Sequence, residues 1–527
     1  MRTLTEPGAE ANVLDTDALV LYFPGPKTVT GEDVLELHVH GGPATVKAVL
    51  SAIPKSQSTS PHGNGNGNDK KTIIRYAEQG EFTKRAFLNN RLDLAQVESL
   101  GDTLSAETEQ QRRAAVRGTS GVLGKTYESW REQLLLARGE IEALIDFSED
   151  QHFDESPTEL LRNVTHLVKG ILRSIKLHEM GSQRSELLRN GIRIALLGPP
   201  NVGKSSLMNL IVGREASIVS SEAGTTRDIV EASLDIRGYL CSFADTAGIR
   251  TRSSLLLPAE EDKGKSDQKE APIGKIEEEG IRRARQKALD SDVIIVLASV
   301  EPAVPTNSNS NSNSNSTSST TGVQGYRLNY DLSTLQLASQ APESLLVINK
   351  SETCPPDVLS QLIQSFKADI LSTLDGIPED SPLKTRDPIL ISCRTAELQS
   401  LLNSTTEDKD PGKIHHLISQ LSSSFAELTA IPQDMEHLLG VTARQNELLG
   451  QCRDALEDFM AEANSGSTTT EGDEMMMQEG EVEADIVLAA EHLRVAAGRL
   501  AAITGKGEAG DVEEVLGVIF EKFCVGK

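Results

Sequence analysis

Residues 198 to 206 read GPPNVGKSS, an order of residue types suited to holding phosphate. Gly198 and Gly203 let a loop curl so that backbone N–H groups converge on phosphate oxygens. Lys204 supplies positive charge for the β- and γ-phosphates, and the Ser205 hydroxyl suits Mg²⁺. Asn201, Val202 and Ser206 complete the loop. The strand-like IRIALL precedes it and the helical SLMNLIVG follows, a context that separates a nucleotide loop from an ordinary turn.

Further along, ADTAG places Asp245 to reach Mg²⁺ through water and Gly248 to meet a γ-phosphate with its N–H, with Thr246 and Ala247 between them. VINKSE ends a strand with Asn349 and Lys350, and the Glu352 carboxylate can accept two hydrogen bonds from guanine, where adenine presents the wrong donors. ISCR ends the next strand, and Ser392, Cys393 and Arg394 resemble the loop that supports the base. In this order the motifs select GTP over ATP. Many GTPases follow DTAG with a glutamine that orients the attacking water, whereas Ile249 stands here. The chain is therefore either a slow binding switch or a hydrolase whose water-positioning group lies elsewhere.

Four blocks must position these residues. Residues 1 to 91 mix short apolar runs (ALVLYF, VLELHVH) with Gly and Pro turns and read as α+β. From 92 to 189 the pattern is helical, with Leu134, Leu135, Ile141, Leu144 and Ile145 at helical spacing. Residues 190 to 430 alternate apolar strands with helices, the signature of a mainly parallel α/β sheet. From 431 to 527 the chain is helical again, and Leu516, Ile519, Phe520 and Phe523 form one apolar stripe. Polar, repetitive stretches such as PTNSNSNSNSNSTSSTTG read as loops inserted between ordered elements.

Composition narrows the function classes. A net charge of −26 excludes a broad basic footprint for nucleic acid, so any RNA contact is local or shared with another subunit. No apolar run is long enough to span a bilayer, so no membrane role is expected. Five scattered cysteines without a CxxC pair argue for a reducing compartment and against a zinc site. Cys524 stands fourth from the end, but Gly526 and Lys527 do not fit a prenylation signal.

Several stretches together resemble one family. GREASIVSSEAGTTRDIVEASLDI with DTAGIR, TGEDVLELHVHGGP, GEFTKRAFLNNRLDLAQVESL and the terminal FCVGK look like the MnmE (TrmE) family of tRNA-modification GTPases. The resemblance implies an α/β P-loop GTPase domain inserted into a helical domain, preceded by an α+β domain that binds a tetrahydrofolate derivative. It implies a homodimer that works with an FAD-dependent subunit of the MnmG (GidA) type to modify C5 of the wobble uridine of certain tRNAs. It also implies K⁺ beside the phosphates, with Asn201, Ser220, Glu222 and Thr225 at ligand positions, Gly224 in the same loop and Thr226 as a second Mg²⁺ ligand. Glu277 in KIEEEGIRRA matches the catalytic glutamate, which would fill the gap left by Ile249. Glu36, Arg91 and Lys527 match folate contacts, and Cys524 matches a cysteine assigned to the modification chemistry, with a packed structural thiol as the alternative.

Family members open with a Gly-rich strand and turn that the present sequence begins after, so the first domain is expected to be incomplete. The segment at about 252 to 272 lengthens the approach to Glu277, and slower activation is expected from it. By analogy with fungal organellar relatives, the expected location is mitochondrial. The competing readings are a GTP-dependent RNA-binding or ribosome-assembly factor without modification activity, which would carry a basic RNA module, and a scaffold that would not retain folate.

Overall fold

The computed structural model describes residues 1–59, 74–147, 157–214, 216–220, 233–244, 286, 288–303, 320–323, 325–373, 381–402, 410–465, 485–506, 516–517 and 519–520. These fall into two compact units: one formed by Met1–Ser105, Ala114–Ser182 and Asp434–Lys527, the other by Ala106–Arg113 and Gln183–Gln433.

The first unit opens with a three-stranded antiparallel sheet in the order β1 (Arg2–Glu6), β2 (Ala9–Phe23), β3 (Val34–His38). Strand β2 begins well before the apolar run ALVLYF. Gly8, at φ 79, turns β1 back onto it, and the polar, largely exposed β1 carries no apolar alternation to mark it. The helices Pro43–Ala52 and Glu81–Leu88 follow.

Four long helices then form a bundle: Val122–Phe147, Pro157–Asn190, Ala443–Ser465 and Ile486–Thr504. Their seam holds Leu123, Leu134, Ile141, Val168, Ile175, Leu456, Phe459, Leu493 and Leu500, all buried. Of the residues picked out by helical spacing, Leu134 and Ile141 face this core, whereas Leu135 is turned outward at 37% exposure, one position off the stripe.

Local signals explain the helix ends. Asp485 accepts from the Val487 and Leu488 N–H groups, and Gly505, at φ 81, closes the other end of that helix. The helix Leu94–Ser105 starts with a reciprocal cap, in which Gln96 N–H donates to Asp93 (2.8 Å) and Asp93 N–H donates to Gln96 (3.0 Å).

Three sequence segments make this one unit, and a buried charge ties the first to the last. Glu98 accepts from Arg444, from Thr442 Oγ1 (3.2 Å) and from Gln445 Nε2 (2.7 Å), while Arg444 also donates to the carbonyls of Ala502 and Ile503. Beside the bundle seam, His178 packs against Tyr127, Trp130 and His437, with the Tyr127 hydroxyl 3.0 Å from its Nδ1. Burial, with a smaller push from His437, drives the His178 imidazole down to about 4.

The second unit is built on a mixed sheet with the strands β4 (Ile192–Leu197), β5 (Ala216–Ser220), β6 (Ser233–Ile236), β7 (Tyr239–Ala244), β8 (Val293–Pro302), β9 (Thr320–Val323), β10 (Tyr326–Asn329), β11 (Glu343–Asn349) and β12 (Ile389–Leu390). The main order is β12-β11-β8-β4-β7-β6-β5, parallel from β12 to β7 and antiparallel at β6 and β5. Strand β8 is buried from Val293 through Val300, as expected where helices cover both faces of a parallel sheet. The helix Pro356–Thr373 packs Val358, Leu362 and Phe366 against Ile294, Val296 and Ile348.

Candidate functional site

The phosphate loop leaves β4 at Gly198 and enters the helix Lys204–Arg214. Its shape needs backbone that side chains oppose: Gly198 is at φ 147 and Gly203 at φ 102, and Asn201 takes a left-handed φ of 63. A Cβ on Gly198 would lie 2.2 Å from the Leu297 carbonyl oxygen, and one on Gly203 would lie 2.3 Å from Asn349 Nδ2. Only glycine fits at either position, which is the physical content of the motif. Val202 is fully buried as the loop's anchor, while Asn201 and Ser205 are exposed and Ser206 is half-buried.

Lys204 bends back over the loop and donates through Nζ to the carbonyls of Gly198 (2.7 Å) and Pro199 (2.8 Å). Burial pushes this ammonium below the ordinary lysine range. A lysine held across a ring of glycine backbone, followed directly by a helix N-terminus, is a fitting receptor for a polyphosphate. The exposed Ser205 hydroxyl in the first helical turn suits a Mg²⁺ ligand and the exposed Asn201 side chain a K⁺ ligand.

The residues expected to recognise the base come to the same place because β11 and β12 end side by side. Asn349, 3% exposed, ties three segments: its Nδ2 donates to the Val202 carbonyl (2.8 Å), and its Oδ1 accepts from the Cys393 N–H (3.1 Å). Residues 147 and 44 positions away are thereby fixed to one amide. Lys350 follows in a left-handed conformation (φ 60) and starts the short helical turn Ser351–Thr353, which carries Glu352 exposed. Ser351 bonds the Ile391 carbonyl through its N–H (3.2 Å) and its hydroxyl (2.9 Å), which locks the NKSE turn onto the ISCR loop.

In that loop Ser392 caps the helix Cys393–Leu402 by accepting from Thr395 N–H (3.0 Å), and Arg394 is exposed. Cys393 is buried, and burial, with Glu397 and Glu352 nearby, drives its thiol up to about 12. It is a packing residue of the loop rather than a nucleophile.

The structure thus brings together Asn201, Val202, Gly203, Lys204, Ser205, Ser206, Asn349, Lys350, Glu352, Ser392, Cys393 and Arg394. Ser220 ends β5. Glu222, Gly224, Thr225, Thr226, Asp245, Thr246, Ala247, Gly248 and Glu277 lie outside the described residues. One residue of this neighbourhood was not picked out by motif. Glu301, near the end of β8, has its carboxylate 3.5 Å from Lys350 Nζ. The signal that could have found it was an acidic residue closing an otherwise apolar strand, VIIVLASVEP.

The first unit holds the other group of expected site residues. Glu36 lies on β3, exposed, with its carboxylate 3.1 Å from His38 Nε2. Arg91 is exposed and donates through Nε to the Thr28 carbonyl (2.9 Å). Leu516 and Phe520 pack onto Leu94 and Val97, with Phe87 and Leu92 alongside, and Phe520 lies directly over Gly80. The C-terminal stripe therefore docks beside the turn that carries Arg91, while Cys524 and Lys527 lie outside the described residues. Among the described cysteines, Cys241, Cys354, Cys393 and Cys452 are all buried, and burial raises each thiol. Among the described residues, no helix is long and apolar enough to cross a membrane.

Comparison with known proteins identifies the family of the chain. The family profile "GTP-binding protein TrmE N-terminus" matches residues 1–91, and the profile "MnmE helical domain" matches residues 94–524. The human protein "5-taurinomethyluridine-[tRNA] synthase subunit GTPB3, mitochondrial" is 33% identical over 527 residues, covering 100% of this chain and 84% of the relative. The Saccharomyces cerevisiae protein "tRNA modification GTPase MSS1, mitochondrial" is 32% identical, covering 98% and 81%. The Parvibaculum lavamentivorans protein "tRNA modification GTPase MnmE" is 33% identical, covering 97% and 86%. With a glycine-built phosphate loop tied through Asn349 to the NKSE turn, and similarity that runs the length of the sequence, the chain belongs to the MnmE (TrmE) family of tRNA modification GTPases.

Proposed function

We propose that the chain is a K⁺-stimulated GTPase that couples hydrolysis of GTP to GDP and phosphate to modification of C5 of the wobble uridine in certain tRNAs. The observation that carries this reading is the Asn349 side chain, which joins the phosphate loop to the base-supporting loop. In its architecture the GTPase domain is inserted into the helical domain and follows an α+β folate-binding domain. Its relatives named for tRNA modification, two of them mitochondrial, support the same reaction and a mitochondrial location for this chain.

Within the site, backbone N–H groups of Gly203 and Lys204 hold the phosphates, Ser205 and Thr226 take Mg²⁺, and Asn201, Ser220, Glu222 and Thr225 take K⁺. The cation supplies positive charge where negative charge develops in the transition state. Glu277 positions the attacking water, the role that Ile249 cannot fill. Glu36, Arg91 and Lys527 hold a tetrahydrofolate derivative that supplies a one-carbon unit, and Cys524 takes part in the modification. A homodimer acting with an FAD-dependent MnmG (GidA)-type subunit shares the tRNA surface, which reconciles an RNA substrate with a charge of −26.

The test is GTP hydrolysis by the purified protein in KCl and in NaCl, with Glu277→Ala alongside. Strong stimulation by K⁺ that the substitution abolishes is the expected outcome. Equal slow rates in both salts would refute the cation-driven step and the role given to Glu277.

A further inference from the structure

We propose that Glu301 is the positioning residue for Lys350, so that the end of β8, with β10 paired beside it, forms one wall of the guanine pocket. The inference rests on the GTPase reading of the site and adds to it a residue that the motifs do not contain.

This end of β8 is placed by the sheet. Strand β4 accompanies β8 only from Ile194 to Leu197, opposite Val293 to Val296. Beyond that point Ser299 is paired with Asn349 of β11 on one side and with Asn329 of β10 on the other, so β10 takes the edge of β8 that β4 leaves. The phosphate loop departs from the end of β4, which sets the end of β8 and its β10 partner beside the nucleotide site.

Glu301 is held at the end of β8 by neighbours that leave little freedom. Its Oε1 accepts from the Ser299 hydroxyl (3.2 Å) and from Asn329 Nδ2 (3.2 Å), and Lys350 Nζ donates to the same oxygen at 3.5 Å. Its Oε2 faces Arg327 Nη2 at 3.6 Å. Burial works against the charged form, yet the Asn329 amide, the Lys350 charge and the Ser299 hydroxyl hold this carboxyl below the usual carboxylate range. The carboxylate is thus a fixed anion with two neutral donors to orient it.

Lys350 needs such a partner. It lies in a left-handed conformation directly after Asn349, and its side chain is 34% exposed on a long flexible stem. A lysine free to rotate would contribute little to a base pocket, because the entropy lost in ordering it offsets its attraction to the base. Glu301 meets that ordering cost before the nucleotide arrives.

The test is the release rate of fluorescent mant-GDP from the full chain, from Glu301→Gln, from Lys350→Met and from the double variant. Glutamine can still accept from Ser299 and Asn329, so the nucleotide-free unfolding temperature of Glu301→Gln should match that of the parent. Glu301→Gln alone is expected to speed release about three- to five-fold, the size of a partly exposed charge contact. In the Lys350→Met background the same change should have no effect. Equal release from parent and Glu301→Gln, or the same acceleration in both backgrounds, would overturn the positioning role. Failure of the parent itself to retain mant-GDP would instead refute the GTPase reading, and Glu301's role with it.

Discussion

Replacing Asn349 with alanine should weaken the protein even when no nucleotide is present. The amide bridges the Val202 carbonyl and the Cys393 N–H, and Val202, Asn349 and Cys393 are each at most 4% exposed. Each bond is worth about 1 kcal/mol net, and a buried group left unpaired costs about 1–3 kcal/mol, so the substitution should cost about 2–5 kcal/mol in the second unit. For a unit of this size that corresponds to a fall of roughly 5–15 °C in its unfolding temperature. Differential scanning calorimetry of the full chain without nucleotide reads this directly, and mant-GDP titration of the same samples reads the loss of binding. If the nucleotide-free transition moved by less than about 1 °C while GDP binding was lost, Asn349 would be a reader of the base only, and the loop-tying role would be wrong.

Two further outcomes follow from the first unit. The folded His178 imidazole is held down at about 4 by burial, against about 6.5 when exposed, so its contribution to stability is complete above that higher value and is lost as pH falls between the two. Urea unfolding should therefore show about 2 kcal/mol of destabilisation from pH 7 to pH 5, most of it absent in His178→Gln; an equal loss in both proteins would refute the assignment. Gly80→Ala would place a Cβ 2.2 Å from the Phe520 ring at φ 67, so it should loosen the docked C-terminal stripe at a cost of about 1–3 kcal/mol. Amide exchange in a peptide covering residues 516 to 520 should then quicken, and unchanged protection would show that Phe520 moves aside freely.

How much the sequence disclosed depends on how far apart in the chain the interacting residues lie. The apolar runs IRIALL, VIIVLAS, SLLVIN and PIL each became a parallel strand, because a strand covered on both faces has to be apolar throughout. Glycines 198 and 203 were legible because their backbone angles exclude other residues. The exposed strand β1 was not, since nothing buried disciplines its composition. Neither was the Glu98 cluster, whose partners Thr442, Arg444 and Gln445 lie more than 340 positions away, nor the Glu301–Lys350 pair, 49 positions apart. Charges recognise one another across space, and no spacing rule within a segment reveals them. Leu135 shows the converse case, an apolar residue at helical spacing that faces outward because it sits one position off the buried stripe.

The divided composition of the first unit has a consequence for its synthesis. Val122–Phe147 and Ile486–Thr504 share one apolar seam, yet the whole of Gln183–Gln433 is encoded between them. On a ribosome adding about 5–20 residues per second, the early helices wait on the order of fifteen seconds to a minute for the partner that covers them. The second unit can meanwhile complete its sheet. A premature stop in the last segment would therefore yield a chain with a finished nucleotide site attached to an open bundle. Such a product could still capture guanine nucleotide while displaying its unpaired helices to chaperones and proteases.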